Sequence, residues 1–151
     1  MQTETYDYLL QWTGDLHAII ADRLEEALTP ETDQRTRWLM EYIAGHEREL
    51  AATVRRYRQQ AAEAASRTWL YEHIGEDVPP NSRWVLHFDG LDAEQISTKV
   101  FELHGQLIEV YTSMKGRAPI PAAVELMDNM LTLEEGATRR LAEQCGRLNE
   151  L

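Results

Sequence analysis

Proline occurs at only five positions, Pro30, Pro79, Pro80, Pro119 and Pro121, and these divide the 151-residue chain into long uninterrupted stretches. Proline lacks a backbone donor and clashes with the preceding turn, so helices end at or before it. Between the prolines, apolar residues recur three and four positions apart, the period of a helix with one buried face. No stretch alternates Val, Ile or Thr with polar residues at a period of two, as a half-buried strand would. No repeat and no low-complexity segment is visible. The chain therefore reads as all-α, a single domain over residues 1–151.

The first helix is predicted from about Thr3 to Leu28, on a stripe of Tyr6, Leu9, Leu10, Thr13, Leu16, Ile20, Leu24, Ala27 and Leu28. Thr29–Pro30 ends it. A second helix starts at Thr32 or Asp33, either a suitable N-cap, and reaches toward Tyr71 through Leu39, Tyr42, Ile43, Leu50, Thr53, Val54 and Tyr57. The third begins near Asp92 and carries Ile96, Val100, Leu103, Leu107, Ile108, Tyr111 and Met114 before Lys115–Gly116. The fourth follows Pro119 to the C-terminus through Val124, Met127, Met130, Leu131, Leu141, Cys145 and Leu148. Between the second and third lies a connection over about 74–92. Its Pro79-Pro80-Asn81-Ser82 cannot be helical and its Asp89-Gly90 signals a turn, yet Trp84, Val85, Leu86 and Phe88 make it apolar. Short, long, short connections give two antiparallel hairpins joined by one long crossover, a four-helix bundle.

Charge narrows the partners. Twenty-six Asp and Glu stand against 15 Lys and Arg, a net charge of −11, which argues against nucleic acid and against an anionic lipid surface. The single Cys145 rules out an internal disulfide and a cysteine zinc cage. No apolar run nears the ~20 residues that span a bilayer. MQTETYDYLLQW has no basic region of a secretory signal, so the expected location is cytoplasmic. Arg55, Arg56 and Arg58 around Tyr57 read as a solvated face. Trp12 and Trp38 fall at the edges of their stripes, an apolar rim that suits a homodimer.

The informative residues are titratable groups on apolar stripes. Turning each helix by ~100° per residue sets His17, His46, His104 and Glu134 among core positions, with Glu49 one turn from His46. Glu26 and Glu47 flank their stripes, and Glu25, Glu41, Glu102 and Glu109 point away. Counted from the predicted turns, the inward groups lie at similar depth. Unpartnered buried charge costs several kcal/mol, so such groups satisfy one another or hold a cation. Imidazole with carboxylate suits iron, manganese, zinc or nickel. His17, His46, Glu49, His104 and Glu134 are thus the candidate metal ligands. The alternative is a metal-free bundle whose buried polar network fixes helix register, acting as a dimeric interaction or regulatory protein. No nucleophile elbow, phosphate-cradling loop or dinucleotide fingerprint is present.

The layout resembles the ferritin-like superfamily, which includes rubrerythrins and bacterioferritins. That family places Glu on its first and third helices and Glu-x-x-His on its second and fourth. Here Tyr42-Ile43-Ala44-Gly45-His46-Glu47-Arg48-Glu49-Leu50 is similar to the second-helix motif with the ligand types exchanged, His46 for Glu and Glu49 for His. Leu133-Glu134-Glu135-Gly136-Ala137 keeps the Glu and has Ala137 at the His place. His17 and His104 stand where the family has Glu. The resemblance implies a non-haem metal centre inside the bundle and, if the chain is an enzyme, oxidoreductase chemistry at iron or manganese.

Overall fold

The computed structural model describes residues 4–61, 63–66, 69–70 and 86–149. Four long helices form the bundle: α1 (Tyr6–Glu26), α2 (Gln34–Gln60), α4 (Ala93–Arg117) and α5 (Pro121–Asn149). A single turn, α3 (Glu63–Ser66), follows α2. Two residue pairs, Glu4–Thr5 (β1) and Trp69–Leu70 (β2), join in a short antiparallel bridge. The all-α expectation holds. Residues 71–85, which carry most of the expected crossover, Trp84 and His73, lie outside the described residues. At its end, Leu86 and Phe88 are buried as expected, while His87 is exposed.

Local chemistry sets the helix ends. The Thr5 hydroxyl accepts from the Tyr8 N–H and starts α1 at Tyr6, later than the expected start near Thr3. Asp33 caps α2 through the Thr36 N–H. The second helix ends at Gln60, well short of Tyr71, where Ala61 turns to extended backbone. Its last turns offer Arg55, Arg56, Gln59 and Gln60 to solvent, while Val54, Tyr57 and Ala61 stay against the core. Before α4, Gly90 takes φ +73°, a conformation open to glycine, and Asp92 forms a capping box with Gln95. Pro121 begins α5, where its missing N–H costs no hydrogen bond.

The inner faces share one pattern. On α1 the buried seam is Tyr6, Leu10, Thr13, His17, Ile20 and Leu24, and on α2 it is Thr36, Met40, Ile43, Glu47, Leu50 and Val54. On α4 it is Ser97, Val100, His104, Leu107, Tyr111 and Met114, and on α5 it is Ala123, Met127, Met130, Glu134, Ala137 and Leu141. Steps of three and four alternate in each, the spacing of helices that pack at a shallow angle. Each seam carries one histidine or glutamate, and all four are buried. Tyr42, expected inside, is 37% exposed, and Trp12, expected at a rim, is only 3% exposed. The buried faces also take in the small residues Ala21 on α1 and Ala44 and Ala51 on α2, beside the seams.

Exposed ion pairs fix the first hairpin. Asp7 meets Arg58 at 2.8 Å, Asp15 meets Arg55 at 3.7 Å, and Arg48 bonds Asp22 and Glu25 at 2.9 and 2.7 Å. Partners early in α1 pair late in α2, so the two run antiparallel. Lys115 and Asp128 do the same for α4 and α5 at 2.7 Å. Tyr111, beyond His104 along α4, bonds Thr13, which precedes His17 along α1, so α1 and α4 also run antiparallel.

Truncation of the seam is expected to cost far more than loss of a surface pair. Ile43→Ala should destabilise by about 2–5 kcal/mol, and Asp92→Ala by about 1 kcal/mol. Arg48→Ala should cost less than about 1 kcal/mol per pair, because its partners are half exposed. Urea unfolding of the three variants checks the order.

Candidate metal centre

The four seam residues meet at one level. His17 Nδ1 lies 2.6 Å from Glu47 Oε2, and His17 Nε2 lies 2.8 Å from Glu134 Oε1. His104 Nε2 lies 2.5 Å from Glu47 Oε1, and His104 Nδ1 lies 3.1 Å from the Thr138 hydroxyl. The two imidazoles stand edge to face with centroids 5.6 Å apart. His17, Glu47 and Glu134 are fully buried and His104 is 1% exposed. Glu134–His17–Glu47–His104–Thr138 is therefore one continuous polar chain across all four long helices.

Proton positions follow from the partners. Thr138 donates its hydroxyl hydrogen to the Glu134 carbonyl at 2.8 Å, so it accepts from His104 Nδ1–H. His17 has a carboxylate at each nitrogen, so without a metal it binds as an imidazolium donating to both. Burial pushes the His17 ring down, but the charges of Glu134 and Glu47 and their hydrogen bonds outweigh it and raise it to about 10. Burial likewise pushes Glu47 up, yet His104 and His17 hold it well below the usual carboxylate range. Beside the chain, Tyr111 donates to the Thr13 hydroxyl at 2.5 Å while Thr13 donates to the Leu9 carbonyl. Burial and the Glu134 charge raise the Tyr111 phenol further from ionisation.

Of the five residues expected to meet, the structure brings together His17, His104 and Glu134. Glu49 is exposed on α2. His46 is half-buried, stacked on Tyr42 at 6.4 Å, and its buried Nε2 has no hydrogen-bond partner. Burial pushes its ring down, His104, Arg140 and His17 add to that, and Glu47 opposes it. The α2 residue at the centre is instead Glu47, which the sequence reading set beside the stripe. The signal for it was present: Glu47 continues the alternating steps from Met40 and Ile43 to Leu50 and Val54. The bulk of Tyr42 and His46 drew the apparent stripe aside, whereas the small Ala44 and Ala51 mark the true inner face. Thr138 gave no signal, because a threonine is unremarkable on a helix until its partner is known.

The donor set could hold a metal ion. His17, Glu47 and His104 each offer a ligand atom, and these lie within 4.8 Å of one another. Ligands about 2.0–2.2 Å from an ion stand about 3 Å apart, so the 2.6 and 2.5 Å contacts of Glu47 with the two rings would lengthen to admit one. His17 Nδ1 and His104 Nε2 then face the ion, while the second nitrogen of each ring is held by Glu134 or Thr138. That is the outer support that metal-binding imidazoles use to fix their tautomer. A further buried oxygen, Glu134 Oε2, has no hydrogen-bond partner. Two neutral imidazoles and two carboxylates would balance one divalent charge.

Comparison with protein families, with curated protein sequences and with solved structures gave no match. Among the described residues, no helix is long and apolar enough to cross a membrane.

The shifts fix the pH dependence of metal-free protein. His17, raised to about 10, stabilises the fold fully below its ordinary 6.5, and that contribution is lost as pH rises from 6.5 through 10. Glu47, lowered from 4.5, stabilises above 4.5, and that contribution is lost as pH falls. Urea midpoints should peak between about 4.5 and 6.5 and decline on both sides. His17→Ala should flatten the alkaline decline and cost about 3–5 kcal/mol at pH 6, since it leaves buried carboxylates unpaired.

Proposed function

We propose that this chain is a metal-binding bundle whose centre takes one divalent ion through His17, Glu47 and His104. The observation that carries the reading is the pairing of three mutually adjacent donors with outer partners for both imidazoles. We take the resemblance to ferritin-like bundles as a further support for a non-haem centre, with the ligand types redistributed. Two imidazoles and one carboxylate leave coordination positions open, the arrangement that suits iron or manganese in oxidoreductase chemistry. The chain's own contribution is to bury the site, orient both rings, and keep Tyr111 protonated near Glu134.

The test is elemental analysis of protein purified without added metal, followed by titration with iron(II), manganese(II), cobalt(II) and zinc(II). One ion per chain is expected. Glu47→Gln and His104→Ala should each abolish stoichiometric binding, whereas His46→Ala and Glu49→Ala should retain it. A folded protein that takes up no ion under any of these conditions refutes the reading.

A second reading, a metal-free bundle working through its surface as a homodimer, is favoured by one observation. Trp38 and Tyr42 lie one turn apart on α2 and are 49% and 37% exposed. Sedimentation of the chain beside Trp38→Glu decides it: a dimer lost in the variant supports this reading, and a monomer in both rejects it.

A further inference from the structure

The two hairpins are register copies of one another. From 17 to 104 and from 47 to 134, a shift of 87 residues carries His onto His and Glu onto Glu. The same shift carries the first residue of α1, Tyr6, onto that of α4, Ala93, and the first of α2, Gln34, onto that of α5, Pro121. It also carries the N-cap Thr5 onto the N-cap Asp92. Leu16, Leu39 and Met40 fall on Leu103, Leu126 and Met127. Sequence identity is otherwise low, which is why no repeat shows without the seams.

The centre follows this correspondence with one exception. Each Nε2 crosses to the other hairpin: His17 Nε2 to Glu134, and His104 Nε2 to Glu47. His17 Nδ1 turns to Glu47 of its own hairpin. The corresponding contact, His104 Nδ1 to Glu134, is not made. His104 Nδ1 bonds Thr138 instead, and Glu134 Oε2 is the buried oxygen left without a partner. On α2 the position matching Thr138 is Ala51, which has no hydroxyl to compete.

We propose that Thr138 selects between two near-equivalent ligand sets. One set is His17 Nδ1, Glu47 and His104 Nε2. The other is its counterpart, His104 Nδ1, Glu134 and His17 Nε2. By holding Nδ1–H of His104, Thr138 closes the second set, so that Glu47 is the binding carboxylate and Glu134 supports a ring. Thr138 is thus a positioning residue, and this assignment rests on the metal-centre reading above.

The experiment compares cobalt(II) affinity of Glu47→Gln and Glu134→Gln in two backgrounds. With Thr138 present, Glu47→Gln should weaken binding at least a hundredfold and Glu134→Gln on the order of tenfold. In Thr138→Ala the two losses should become equal, and Thr138→Ser should restore the difference. A purely structural role for Thr138 would lower affinity in every variant and keep the ratio, and that result overturns the proposal. Ring-nitrogen NMR of metal-free protein supplies a second arm. His17 and His104 should give distinct patterns in the parent and in Thr138→Ser, and like patterns in Thr138→Ala. If cobalt does not bind at all, the metal reading fails, and the NMR comparison still decides whether Thr138 governs the His104 ring. Unchanged ring signals in Thr138→Ala reject that role.

Discussion

A single imidazole held between two carboxylates governs how the halves of this bundle meet. His17 reaches Glu47 within its own hairpin and Glu134 across the interface, and all three are sealed from solvent. Apolar seams alone would tolerate sliding by one turn, because Leu, Ile, Met and Val pack against one another in several registers. Two buried carboxylates permit no such slide, since each displaced charge would be left without a partner. The polar layer therefore sets depth, and the apolar layers above and below supply most of the driving force.

The same layer explains why the four helices share a register. One histidine or glutamate per seam must reach a common level, which fixes the distance from each helix start to the centre. Thr5 and Asp92 stand equally far before His17 and His104, and Gln34 and Pro121 equally far before Glu47 and Glu134. Helix starts set by local capping and a centre set by long-range pairing thus agree, the consistency between levels that marks a sequence committed to one fold.

Much of this was legible from residues alone. Proline placement and the three-and-four spacing gave the helices, and core placement of His17, His104 and Glu134 came from the same periodicity. Two things were not legible. Glu47 reads as flanking because large side chains, Tyr42 and His46, dominate the apparent stripe, while Glu47 itself is buried with Ala44 and Ala51. The end of α2 is not legible either, because apolar spacing continues through Tyr57, Ala61 and Ala65 while the backbone turns extended at Ala61. In both cases propensity and bulk were visible in the sequence, but the choice of packing face depends on the neighbouring helix.

The ladder of Arg48, Arg55 and Arg58 against α1 has a consequence for how the molecule would open. It ties α1 to α2 along their length, on the outside, independently of the buried layer. Contacts between the two halves have no such external stitching among the described ion pairs. The weakest parting thus runs between two intact hairpins, like a book along its spine, and it would wet the carboxylates before either pair of helices came apart.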